Sequence, residues 1–163
     1  MNARPLFLFL LLAIFLAPAV HAGGPDHPKA TFTGYDEKAD PAQDIAAACT
    51  AARARQQRVL VIFGANACGP CRKLHALLFG NKTVAALLAA RYQVVPVAVD
   101  GRQAAPTRAR YGYTPAFGLP SLAVLSADGS LLKLQATREF AEGNHQDGGK
   151  VLAFLREWAG SAP

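Results

Sequence analysis

The chain has 163 residues, 52% of them apolar and 17% charged, with a net charge of +6. That is enough apolar material for one domain with a buried core, and too much for a disordered chain. The basic residues are scattered apart from a small cluster at Arg102, Arg108 and Arg110. With no aromatic-interleaved basic motif, they read as solvated surface rather than a nucleic-acid face, and three cysteines are too few for a disulfide-built scaffold.

Residues 1–22 read as a secretory signal peptide. Arg4 supplies the positive start, Leu6 to Val20 an apolar core interrupted by Pro18, and Val20-His21-Ala22 a cleavage site of the small-x-small kind. The apolar stretch is short for a bilayer span, which needs about 20 residues; an uncleaved anchor is the alternative. No cysteine lies near the cleavage site, which argues against a lipoprotein. Export places the mature chain where disulfides persist, the periplasm in a Gram-negative bacterium.

Residues 23–39 are polar and rich in Gly, Pro and charge. They read as a linker, with a short strand at Ala30 to Thr33, ahead of a domain spanning 40–160. Pro41 opens a helix to about Gln57 with Asp40 as its N-cap. Ile45, Ala48, Cys49 and Ala52 follow its apolar face, so Cys49 is expected to be a buried, inert thiol. Val59 to Phe63 is a continuous apolar run with β-branched residues, the pattern of a strand buried on both faces. Gly64 and Asn66 break it.

A helix follows from about Pro70 to Phe79, ended by Gly80 and Asn81, with Leu74, Leu77 and Leu78 apolar. Thr83 to Tyr92 predicts a second helix, Gln93 to Val99 a strand, and Ala104 to Tyr111 a short helix stopped by Gly112. Leu122 to Leu125 is the next strand. Asp128-Gly129 signals a hairpin, and Leu131 to Gln135 pairs back. Residues 138–149 read as a polar loop. A last helix starts at Asp147 or Gly148, with Val151, Leu152, Leu155 and Trp158 as its apolar stripe. This alternation predicts an α/β sandwich with a mixed central sheet flanked by helices.

The chemistry concentrates at Cys68-Gly69-Pro70-Cys71. Pro70 suits the first turn of a helix, so Cys68 sits at the helix mouth and Cys71 one turn in. A thiol attacks as its thiolate. A helix N-terminus can lower a cysteine pKa from about 8.5 into the range of roughly 3.5 to 7.5, because unpaired N–H groups and the helix dipole stabilise the anion. Arg72 and Lys73 add positive charge. Cys68 is therefore the expected attacker, with Cys71 close enough to close a disulfide on it. His75, four residues after Cys71, can share the same helix face; it reads first as a packing residue and second as a group that tunes the thiols. Cys68, Cys71 and His75 would make an incomplete zinc site, since a structural zinc wants four ligands and His145 lies in a loop with no obvious link to them. No metal is expected.

Cys68-Gly69-Pro70-Cys71 after an apolar strand, with Gly118-Leu119-Pro120-Ser121 ahead of a later one, resembles the thioredoxin superfamily, and in particular its secreted bacterial thioredoxin-like members. The resemblance covers roughly residues 40 to 160. It implies a three-layer thioredoxin-like sandwich and thiol–disulfide exchange with protein substrates, through Cys68 and Cys71 as the catalytic pair. It further implies a cis-proline at Pro120 in preference to Pro115, a substrate groove formed by Pro120, Leu119, Gly69 and Pro70, and no cofactor beyond the cysteine pair. The Gly-Pro dipeptide resembles that of reducing members, which implies a reductase or isomerase fed by a membrane electron donor and acting as a monomer. Three positions depart from the pattern. Ala67 stands where a tryptophan is usual, and Ile62 where a buried aspartate serves the second cysteine. Tyr113 to Phe117 enlarges the loop before the cis-proline. Ala67 and Ile62 support the rival reading, a thioredoxin-like binding module without redox turnover; retention of both cysteines argues against it.

Overall fold

The computed structural model describes residues 34–143 and 145–160. The signal peptide and the strand expected at residues 30–33 lie outside the described residues. Helix α1 spans Pro41–Arg55 and is capped by Asp40, whose Oδ1 accepts from the backbone N–H groups of Ala42 at 3.0 Å and Gln43 at 3.3 Å. Strand β1, Arg58–Gly64, is buried at every position after the first. Leu60 and Ile62 point into one core, while Val59, Val61 and Phe63 point into another on the opposite face. A strand with a core on each side has no position for a polar side chain, which is why its sequence is continuous rather than alternating.

Helices α2 (Gly69–Gly80) and α3 (Lys82–Arg91) follow, then β2 (Tyr92–Ala98) and the short α4 (Ala104–Arg110). Strands β3 (Ser121–Leu125) and β4 (Leu131–Ala136) form the expected hairpin, and α5 (Gly148–Trp158) closes the fold. The sheet order is β2-β1-β3-β4, with β1 parallel to β2 and antiparallel to β3. Leu74 and Leu78 of α2, Val84 and Leu88 of α3, and Val151 and Leu155 of α5 pack over one face. Ile45, Cys49 and Ala52 of α1 and Ala104 of α4 pack over the other. The three-layer sandwich with a mixed sheet is thus present. Pro96 is tolerated in β2 because that strand is an edge.

Two readings need correction. Residues 138–149 are not a plain loop: a 3-10 turn at Thr137–Phe140 leads into two short strands, β5 (Ala141–Glu142) and β6 (His145–Gln146), which pair antiparallel. Strands of two residues are too short to show a period. The anchor is Phe140, buried against Phe154 with ring centroids 5.3 Å apart. In α5 that same Phe154 is buried with Val151 and Leu155, whereas Leu152 and Trp158 are only partly covered.

Residues 34–39, within the stretch read as a linker, pack on the domain. Tyr35 is only 4% exposed. Its backbone N–H donates to Asn66 Oδ1 at 2.8 Å, and its carbonyl accepts from Asn66 Nδ2 at 2.9 Å. Its ring lies so close to Gly64 that a Cβ there would overlap the phenol. Gly64→Ala should therefore cost about 2 kcal/mol by overpacking, measured by urea unfolding. The same substitution in a Tyr35→Ala background should cost much less, because the obstructing ring is gone. Equal costs in both backgrounds would contradict this packing.

Candidate redox site

The junction of β1 and α2 builds the site. The strand ends at Gly64, a turn carries Ala65 to Ala67, and Cys68 takes the N-cap position of α2 with extended backbone. Pro70 lies in the first turn, where its missing N–H is no loss. Cys68 and Cys71 form a disulfide, with their Cα atoms 5.2 Å apart. Cys68 Sγ accepts from the backbone N–H of Cys71 at 3.1 Å. That N–H is one of the unpaired donors of the helix start, and it would serve a Cys68 thiolate in the same way. Cys68 is half-buried, and Cys71 is completely buried. Arg72 lies along the preceding turn, its Nη1 donating to the carbonyl of Asn66 at 3.1 Å. Lys73 is exposed on the next position.

Of the remaining candidates, Gly69 is half-buried and Pro70 exposed beside Cys68. The Leu119–Pro120 peptide is cis, and among the described residues it is the one cis bond. Pro115 instead opens a 3-10 turn. Leu119 packs against a small cluster made of Tyr35, Cys71 and Ala98, so the loop before β3 does meet the cysteines. Pro120 is buried, and its carbonyl accepts from Thr137 Oγ1 at 2.7 Å. In the enlarged loop, Tyr113 is a core residue stacked on Phe63 at 4.9 Å between centroids. Cys49 is a free buried thiol beside Gly129, at the far end of β3 from Pro120. Burial pushes its pKa up. Ile62 is fully buried in the core under α2, so the strand brings no carboxylate to Cys71. Ala67 is exposed and leaves the site without an aromatic platform.

The residues that the sequence passed over are Tyr35 and Asn66, and with them the setting of His75. His75 is 2% exposed, and its Nε2 shares a 2.9 Å hydrogen bond with the Tyr35 hydroxyl. Phe79 stacks on the imidazole with centroids 5.7 Å apart. Burial pulls the His75 pKa down from 6.5 to about 4, so the ring is neutral at neutral pH. Burial also raises the Tyr35 phenol above its ordinary value. Among the described residues the buried polar side chains are Gln57, His75, Thr107, Ser121, Gln135 and Thr137, and no acid is among them. No three His, Cys, Asp or Glu side chains gather into a metal site among the described residues, and no described helix is long and apolar enough to cross a membrane. The signal that could have flagged Tyr35 is that it is, with Phe32, one of only two aromatic residues in a polar stretch.

A family profile described as a thioredoxin-like domain matches residues 45–138. No curated protein matches the chain. Among solved structures, the disulphide isomerase from Xylella fastidiosa Temecula1 is 27% identical, with a TM-score of 0.66 over 76% of this chain and 94% of that one. The DsbD C-terminal domain of Neisseria meningitidis, in its oxidised form, is 21% identical, with a TM-score of 0.55 over 74% of this chain and 97% of that one. A thioredoxin from Thermus thermophilus is 23% identical, with a TM-score of 0.52 over 68% and 80%. The last two share the fold.

Keeping His75 neutral has a pH signature. Its folded pKa lies below its unfolded value, so the unfolded chain binds more protons between pH 6.5 and about 4. The contribution is complete above pH 6.5 and is lost as pH falls through about 4. Urea unfolding should show a loss of about 2 kcal/mol from this source between pH 7 and roughly 4.5. His75→Gln should be less stable at neutral pH but flatter across that window. Asp128, held at about 2 by bonds from Ser126 and Ser130, titrates below the window and does not confuse it. An equal slope in both proteins would remove His75 as the cause.

Proposed function

The chain belongs to the thioredoxin-like domain family, and on that footing we propose that it is an exported thiol–disulfide oxidoreductase that reduces or isomerises disulfides in proteins. The observation that carries this reading is the Cys68–Cys71 disulfide at the N-terminus of α2, with Cys68 half-buried and Cys71 fully buried. A disulfide of this kind passes electrons without a further cofactor.

The catalytic cycle assigns a role to each sulfur. In the reduced protein, the Cys68 thiolate attacks one sulfur of a substrate disulfide. The substrate S–S bond breaks, its other sulfur leaves as a thiolate, and Cys68 holds a mixed disulfide. Cys71 then loses its proton and attacks Cys68 Sγ. The Cys68–Cys71 bond forms, the second substrate sulfur leaves with its electron pair, and the substrate takes up two electrons and two protons. Leu119 and Pro120 on one side, with Gly69 and Pro70 on the other, would line the groove that receives the substrate chain. To act again as a reductase, the oxidised pair needs a dithiol donor. In an oxidising compartment, that donor would be a membrane thiol–disulfide transporter. The export reading rests on the charged start, apolar core and Val20-His21-Ala22 site. N-terminal sequencing of protein from its native host should find a mature chain beginning near Gly23, and a full-length cytosolic product would refute it.

Insulin reduction with dithiothreitol tests the activity. Catalysed precipitation of the insulin B chain is expected, and none would leave the binding-module reading. The assignment of the sulfurs is tested separately. Cys71→Ser should still attack disulfides but stall, holding partners as mixed disulfides on a non-reducing gel. Cys68→Ser should trap at least about tenfold less, because its two remaining thiols, Cys49 and Cys71, are both buried. Equal trapping by the two variants would overturn the order of attack.

A further inference from the structure

Cys71 is fully buried, so some element has to exclude water from a sulfur that sits only one turn into a surface helix. Part of that cover comes from outside the sheet and its helices. Tyr35 forms one packed cluster with Cys71 and Ala98, with Cys68 and Leu119 against it. The residue is fixed at its backbone and at its hydroxyl, with room for its ring beside Gly64. Asn66 grips the Tyr35 backbone at both its N–H and its carbonyl, His75 holds the hydroxyl, and the bare backbone of Gly64 gives the ring room. Asn66 is also tied to the redox turn. It precedes Cys68 by two residues, its carbonyl accepts from Arg72, and its Nδ2 donates to Glu37 Oε1 at 2.9 Å. Residues 35–37 and the turn before Cys68 therefore form one hydrogen-bonded unit.

We propose that Tyr35 is a positioning residue for the redox pair: its ring, pinned by Asn66 and His75, keeps water from both Cys71 and His75, so that Cys68 alone meets a substrate as a thiolate. The inference rests on the oxidoreductase reading above. Its chemical consequence is the absence of charge at the buried sulfur. His75, four residues along the same helix face from Cys71, stays neutral because it is dry. Other titratable groups around α2 lie at the surface: Arg72 and Lys73 on the helix itself, Glu37 beside Tyr35, Lys82 at the start of α3, and His145 and Asp147 on the segment packed against α2. Once the Tyr35 ring is removed, water reaches the imidazole, its pKa returns toward 6.5, and a cation forms near Cys71. A nearby cation favours the thiolate, and the difference between the two sulfurs shrinks.

The test is iodoacetamide labelling of the reduced full-length chain across a range of pH, with each cysteine quantified by peptide mass analysis. In the wild type, Cys68 should label first and Cys71 slowly. Tyr35→Ala should raise the Cys71 rate about tenfold and give its pH profile an inflection near 6.5, the ordinary histidine value. The inflection should be missing from Tyr35→Ala/His75→Gln. Tyr35→Phe keeps the cover and should hold Cys71 labelling within about twofold of wild type, which a demand for the hydroxyl alone would not allow. If Tyr35→Ala does not fold, Asn66→Ala removes both bonds that hold the backbone of residue 35, so that the Tyr35 ring, still present, covers Cys71 only part of the time, and should raise Cys71 labelling about threefold. The proposal is overturned if Cys71 labelling in the folded variant stays at the wild-type rate, or if the inflection survives in the double variant. Labelling needs no substrate. A protein that labels as expected but does not reduce insulin would sink the oxidoreductase reading alone, while one that reduces insulin but ignores the loss of Tyr35 would sink this inference alone.

Discussion

The site depends on a strand that has no solvent face. Side chains of β1 alternate between two cores, so the strand cannot shift by one residue without exchanging Leu60 and Ile62 for Val59, Val61 and Phe63. Burying each such side chain stabilises the fold by roughly 1.5 to 3 kcal/mol, and a slip would put them all in the wrong packing at once. The end of β1 is therefore fixed, and with it the turn that places Cys68 at the N-cap of α2. On the other side, Leu74 and Leu78 fix the rotation of α2 by packing on the same core that holds Ile62. Cys71 faces inward for the same reason that Leu74 and Leu78 do: all three lie on the buried side of the helix. The inequality of the two sulfurs is thus a result of core packing before it is a result of electrostatics.

Electrostatics then act on that inequality in one direction. The helix start offers backbone N–H groups to Cys68, and one of them already bonds its sulfur. Cys71 lies one turn further in, fully buried, and Ile62 packs beneath α2 with Leu74 and Leu78 as hydrocarbon. A buried acid there would have carried a proton to and from the second thiol, but its anionic form would also have opposed thiolate formation nearby. This chain avoids both effects. Its buried polar pair, Tyr35 and His75, is neutral and internally hydrogen-bonded, which lowers the cost of keeping polar groups out of water.

Much of this was legible in the sequence because the informative patterns are local. The apolar period of α1, α2 and α3, the continuous run of β1, the Asp128-Gly129 turn and the caps at Asp40, Asn81 and Asp147 each involve neighbours along the chain. The expected boundaries agree with the structure to within a residue or two. The Leu119–Pro120 cis bond was reached through the family resemblance and not through any local pattern. What could not be read was long-range and sparse. Tyr35 meets Asn66 across 31 residues and His75 across 40, using single side chains with no period around them. The stretch containing Tyr35 has the composition of a linker, and composition averages over the one residue that matters. The β5–β6 hairpin failed to register for the complementary reason: its order comes from Phe140 meeting Phe154, not from its own strands.

Gly64 shows how these layers constrain one another. As the last residue of β1 it contributes nothing to either core, and taken alone it is a place where a strand stops. Its lack of a Cβ is needed because the phenol of Tyr35 occupies that space. The phenol is there because Asn66, on the turn that Gly64 begins, holds the Tyr35 backbone by both of its polar groups. One glycine therefore lets three distant parts of the chain converge: the end of the central strand, the turn before the redox pair, and a segment that precedes the first helix. A redox centre assembled this way keeps Cys71 dry while Cys68, one turn earlier, stays only half-buried.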